Sequence, residues 1–88
     1  MDDRDLRLDG NAAAGVLQAA LGFEVTSARG RCEGCGAEEP VGALLVYMRG
    51  PGVVLRCVHC HAVMLRLAEL PGGYRVDLRG MRTLEIAG

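Results

Sequence analysis

The chain has 88 residues, of which 50% are hydrophobic but only 3% aromatic, so a single core would have to be built from Val, Leu, Ala and Met. The formal net charge is −1, which excludes the pronounced overall positive balance of many nucleic-acid-coating modules. No apolar run approaches the roughly 18–20 residues of a membrane-spanning helix.

The opening Met1-Asp2-Asp3-Arg4-Asp5 is acidic and lacks the apolar stretch of a secretory signal, so a reducing cytoplasm is the expected setting. Residues 1–8 read as a frayed lead-in. Asp9, or alternatively Asn11, is placed to cap a helix by accepting hydrogen bonds from its free amides. That helix is expected over about 10–21, with Gly22 ending it in a left-handed turn. Its apolar stripe is Ala13, Val16, Leu17, Ala20 and Leu21, the spacing of a face laid on a core. The opposite face, Ala12, Gly15, Gln18 and Ala19, is small and almost uncharged. It reads either as a packed alanine-rich surface or as a flat surface for a partner or a second copy of the chain.

Glu24–Ala28 reads as a strand leading to Cys32-Glu33-Gly34-Cys35, and the 21 residues from Gly36 to Arg56 separate this from Cys57-Val58-His59-Cys60. Two C-x-x-C pairs so spaced predict one tetrahedral site made by Cys32, Cys35, Cys57 and Cys60. Each pair needs a sharp turn behind its sulfurs. Gly34 and Gly36 supply it in the first, and His61 stands where Gly36 stands, a residue type tolerated at positive φ. Zinc is the expected ion. Iron is the alternative, since Cys32-x-x-Cys35-Gly36 is similar to a rubredoxin knuckle, although the chain lacks Trp and has one Phe. His59 and His61 are read as neighbours of the site and not as ligands, because four thiolates already complete it.

Glu38, Glu39 and Pro40 are expected as solvated loop. Val41–Met48 and Val53–Arg56 read as a hairpin across Arg49-Gly50-Pro51-Gly52, which returns the second pair beside the first. Val63–Leu70 and Tyr74–Arg79 read as a second hairpin across Pro71-Gly72-Gly73, followed by a short strand at Thr83–Ile86. Alternation turns Leu65, Leu67, Val76, Leu78, Leu84 and Ile86 inward, and Arg66, Arg75, Asp77, Arg79 and Glu85 to water. No repeat or low-complexity linker is evident. The expected fold is therefore a single α+β zinc-ribbon domain over 1–88. It has a mostly antiparallel sheet of two hairpins, one N-terminal helix packed on it, and the metal-binding ribbon over about 24–88.

Residues 40–82 hold six arginines, Arg49, Arg56, Arg66, Arg75, Arg79 and Arg82, against Glu69 and Asp77, so this half is mildly basic. All ten basic residues are Arg, which reads as GC-rich codon usage before phosphate recognition. With only Tyr47, Tyr74 and Phe23 as aromatics, a nucleic-acid surface is the weaker expectation beside a solvated sheet face. No phosphate loop, Ser/His/Asp set or H-E-x-x-H motif is present, and a closed four-thiolate site leaves no position for substrate, so no enzyme is expected. The reading from residues alone is a non-catalytic module with a structural metal that binds another protein. Its alternatives are a rubredoxin-like iron carrier serving a reductase, and a nucleic-acid-binding ribbon.

Several stretches together carry a family resemblance: Leu8–Gly15, Thr26–Gly30 with the first cysteine pair, Val41–Leu44, Pro51–Cys57 and Asp77–Gly80. The chain resembles a family of small bacterial proteins of unknown function, found in GC-rich genomes and described as zinc-ribbon-like. The resemblance implies a four-cysteine metal site at the positions above. It also implies an accessory or electron-transfer role toward a flavin or molybdenum-cofactor oxidoreductase. The second pair departs from many ribbons, which have Pro after its first Cys and Gly after its second.

Overall fold

A computed structural model of the chain describes residues 7–49 and 52–87. The fold is α+β, with one α-helix and two antiparallel sheets. The larger sheet has the order β1-β4-β5-β6-β7, from Arg7–Asp9 (β1), Leu45–Arg49 (β4), Gly52–Arg56 (β5), Val63–Leu70 (β6) and Gly73–Asp77 (β7). The smaller sheet has the order β3-β2-β8, from Arg29–Cys32 (β2), Glu38–Pro40 (β3) and Met81–Glu85 (β8). No helix among the described residues is long and apolar enough to cross a membrane.

Antiparallel pairing joins β4 to β5 and β6 to β7. In β4–β5, Tyr47 lies opposite Val54, and in β6–β7, Leu67 lies opposite Val76. The chain then does something the two-hairpin expectation does not contain: β8 leaves the larger sheet and pairs with β2, with Gly30 opposite Leu84. The middle of the turn expected at Arg49–Gly52, residues 50–51, lies outside the described residues.

The lead-in expectation is corrected for Arg7 and Leu8, which belong to β1 and pair with Tyr47 and Val46; residues 1–6 lie outside the described residues. The cap expectation is corrected as well. Asp9 ends β1, and Gly10–Ala13 wind into a 3-10 turn ahead of the helix α1, Ala14–Leu21, whose N-cap is Ala13 with no side-chain hydrogen bond. A tight lead-in turn satisfies helix amides from the backbone itself. Asn11 is turned toward Gly42, where an added Cβ would stand 2.5 Å from its Oδ1. Gly22 does close the helix as expected, at φ 84°, its amide donating to the Gln18 carbonyl at 2.8 Å.

Two loops and strands exchange places relative to expectation. Glu24–Ala28 is a turn: the Glu24 carboxylate accepts from the Thr26 amide at 2.7 Å, from the Thr26 hydroxyl and from Ser27 Oγ at 2.9 Å. Side-chain capture of nearby donors outcompetes a strand ladder here. Glu38–Pro40, expected as loop, is β3, because Glu38 lies across from Arg31 and receives Arg29 Nε and Arg31 Nη2, each at 3.0 Å. The strand expected from Val41 begins at Leu45, after a 3-10 turn at Val41–Ala43 whose first two amides donate to Ala28 and Thr26.

The core lies between the inner face of the larger sheet, the helix and the smaller sheet. Val46, Val53, Leu55, Leu65 and Leu67 meet Leu17, Val25 and Val41, all buried. Val16, Ala20 and Leu21 of the helix pack half-buried against it. Of the six residues expected inward, Leu65 and Leu67 are buried and Val76 and Leu84 half-buried. Leu78 (40% exposed) and Ile86 (56%) fall just beyond the ends of β7 and β8 and face outward. A bulge breaks alternation in β6: Leu55 pairs with Leu65 but Arg56 with Val63, leaving Met64 as the extra residue. That bulge turns Met64 toward the smaller sheet, where its Cε would lie 3.5 Å from a Cβ on Gly30.

Candidate metal centre

The four cysteines sit at the seam between the sheets. Cys32 ends β2 and Cys35 lies in the turn to β3; Cys57 follows β5 and Cys60 lies in the turn to β6. Each sheet thus brings one hairpin turn, and the turns face each other. All four Sγ atoms lie within 4.8 Å of one another, with 3.6 Å between Cys32 and Cys60 and 3.7 Å between Cys35 and Cys57. None is in a disulfide. A tetrahedral metal–thiolate site with bonds of about 2.3 Å has sulfur–sulfur edges of about 3.8 Å, so the set fits one four-coordinate ion. Zinc and iron share that geometry, so the distances select the site and not the metal.

The two turns are built alike. The Cys32 carbonyl accepts from the Gly36 amide (2.9 Å), and the Cys32 amide donates to the Ala37 carbonyl (2.8 Å). In the second turn the Cys57 carbonyl accepts from His61 (3.0 Å), and the Cys57 amide donates to Ala62 (2.9 Å). Gly36 and His61 both take the left-handed conformation, at φ 79° and 65°, so His61 adopts the strained backbone its position demands. Arg31 Nη1 donates to the Gly36 carbonyl at 3.1 Å, and Arg56 Nη1 to the His61 carbonyl at 2.9 Å.

Sequence reasoning missed these two arginines and the correspondence behind them. Arg31–Ala37 and Arg56–Ala62 share the pattern Arg-Cys-x-x-Cys-x-Ala, a seven-residue recurrence where no repeat was expected. Comparing the flanks of the two cysteine pairs, and not the pairs alone, would have exposed it.

Backbone amides point at the inner sulfurs, the His59 amide reaching Cys57 Sγ at 3.4 Å. Burial pushes the Cys32 thiol up, but the amides of Cys35 and Gly34 and the nearby sulfurs outweigh it and bring it down to about 7. At Cys35 the Ala37 amide acts downward, yet desolvation and the three neighbouring sulfurs prevail and raise it to about 11. Four thiols this close cannot all ionise without a cation among them, and a divalent ion supplies that charge. Cys32 and Cys57 are buried, while Cys35 and Cys60 are exposed, so one edge of the cluster reaches the surface. Of the two glycines expected to make the first turn, Gly36 takes positive φ and Gly34 does not, and a Cβ added at Gly34 would make ordinary contact at 3.7 Å with Cys32 Sγ and Cys60 Sγ.

Neither histidine belongs to the four-sulfur set. His59 Nε2 lies 3.0 Å from Glu39 Oε1 on β3, tying the second turn to the hairpin of the first. The turn after β7 adds a further tie: the Glu33 amide donates to the Gly80 carbonyl at 2.9 Å, while Gly80 itself lies flush on the backbone of Val63.

No curated protein and no solved structure matches this chain. Residues 2–88 match DUF6510, a family of unknown function, and the chain belongs to that family.

Proposed function

We propose that the protein is a non-catalytic zinc-ribbon module in which Cys32, Cys35, Cys57 and Cys60 hold one structural Zn²⁺, and that it serves as an accessory or interaction partner of another protein. The observation that carries this is the convergence of the four sulfurs within 4.8 Å from two turns of matching construction. A site with four thiolates is closed to substrate, and the metal contributes folding energy. The surfaces offered to a partner are the tips of the turns, Glu33, Gly34, Val58 and His59, and the small exposed helix face of Ala12, Gly15, Gln18 and Ala19. That helix face would equally accept a second copy of the chain, and a cytoplasmic setting would keep the thiols reduced.

A second reading has its own support. With Cys35 and Cys60 exposed, the edge of the cluster lies open to a redox partner, which is what an iron carrier serving a flavin or molybdenum-cofactor reductase needs. Metal analysis of protein purified without added metal separates the two. Zinc with a colourless solution supports the structural module; iron with visible absorption supports the carrier. Affinity capture from native lysate then identifies the partner. Protein that retains no metal while remaining folded contradicts both readings.

A further inference from the structure

We propose that the outward face of the larger sheet binds single-stranded nucleic acid along a track of guanidinium groups. This goes beyond the metal-module reading and does not depend on a protein partner.

The face opposite the core carries Tyr47, Val54, Arg66 and Asp77 as one row across β4 to β7. Gly52, Ala68 and Arg75 form the next row. Between them runs a groove of about 410 Å³ whose floor is Gly52, Val54 and Ala68 and whose walls are Arg66, Arg75 and Arg79. It continues into a second concavity of about 210 Å³ beside Val63 and Gly80, which shares Arg66, Asp77 and Arg79. The result is an open track across three strands and not a closed pocket.

Arg66 and Arg75 make no ion pair among the described residues, and Arg79, though paired with Asp77 at 2.6 Å, keeps its side chain 90% exposed. Asp77 is the one acid lining the track. The face is therefore positive on a chain whose net charge is −1, because Glu24, Glu38 and Glu85 belong to the smaller sheet and the loop that feeds it.

Spacing selects the partner. Because Arg66 faces Asp77 and Ala68 faces Arg75, Arg66 and Arg75 are diagonal neighbours with side chains on the order of 7–8 Å apart. Cations repeated at that interval along an open groove suit an anion that also repeats, such as a phosphodiester backbone. Guanidinium groups bind phosphate bidentately and stack on flat rings. The floor is smooth and apolar, suited to the face of a base, with no deep side-chain pocket for an acidic peptide. At the β4 end, Tyr47 with the Arg56 guanidinium 5.8 Å from its ring centre adds an aromatic contact.

The test is fluorescence anisotropy of labelled oligouridine and oligothymidine on the intact, metal-loaded chain, across a salt series, with polyglutamate and uridine monophosphate as competitors. The expected result is binding at low salt that weakens with a log–log slope of about −2, from about 0.7 per phosphate neutralised on a single strand. Arg66→Glu with Arg75→Glu should weaken binding about tenfold or more and flatten the slope, while Arg66→Lys with Arg75→Lys should keep most of it. Metal content and circular dichroism verify that each variant is folded. Absence of binding at low salt overturns the proposal, as does binding indifferent to the Glu pair in a folded variant. Displacement of the strand more effectively by polyglutamate, or at equal concentration by the mononucleotide, overturns it in favour of an acidic protein or a small-ligand site.

Discussion

Arg31 and Arg56 show how much of the construction of the four-cysteine cluster lies beside the cysteines themselves. Each precedes the first cysteine of its turn and holds the carbonyl of the left-handed residue that closes it, at 3.1 and 2.9 Å. Loss of such outer contacts commonly costs about 10–100-fold in metal affinity. Arg31→Ala and Arg56→Ala are therefore each expected to speed metal release to a chelator about tenfold or more, read with a colorimetric indicator, while Arg82→Ala leaves it unchanged. Equal rates for all three would contradict the role. A second residue effect concerns protons. The Arg79 side chain and backbone amide, donating to the Asp77 carboxylate, hold it at about 2, below the ordinary 3.8. Since the folded value is the lower one, whatever stability this pair adds is complete above the ordinary value and is lost as pH falls through about 2. Carbon-detected NMR should place the Asp77 midpoint near 2 and return it toward 3.8 in Arg79→Ala; a wild-type midpoint already near 3.8 would refute the pairing. The convergence of Cys32, Cys35, Cys57 and Cys60 was legible from spacing alone, because C-x-x-C is a local signal. Arg31 and Arg56 were not, because their work is done by side chains reaching five residues ahead to a carbonyl.

At the scale of elements, the antiparallel pairings β4–β5 and β6–β7 agree with the apolar alternation of their segments, and Gly22 ended its helix where expected. Two of the departures arise from side-chain partners. Glu24 captures local donors at Thr26 and Ser27, and Glu38 receives two arginines of the adjacent strand, so these bonds override what the neighbours' propensities suggest. The crossing of β8 to β2 is likewise invisible locally. It depends on Gly80, whose missing side chain lets the turn lie on the backbone at Val63 while its carbonyl accepts from Glu33. A Cβ there would collide with the Val63 carbonyl. Gly80→Ala is thus expected to destabilise by about 1–3 kcal/mol, since overpacking at a fixed backbone has that scale. The change would show as a lower denaturant midpoint. Gly15→Ala, where nothing lies within 4 Å of the new Cβ, serves as the control that should hold or gain stability. A Gly80→Ala midpoint at the wild-type position would contradict this packing.

At the scale of the molecule, two sheets and one short helix share a core with no aromatic residue among its fully buried side chains. The cysteine cluster is the point where the sheets meet, and its inner members, Cys32 and Cys57, are themselves buried with the core. A metal held there ties the two sheets together, and structural zinc contributes on the order of 10–16 kcal/mol of apparent folding free energy in small domains. Cys57→Ser should therefore lose the ion and most of the cooperative thermal transition, whereas a variant melting like the wild type would show that the sheets hold without it. The central claim is most directly tested by X-ray absorption at the edge of the metal that co-purifies with the chain. The account predicts a single shell of four sulfur scatterers at about 2.3 Å. Nitrogen or oxygen in that shell, fewer than four sulfurs, or folded protein with no metal to measure would contradict it.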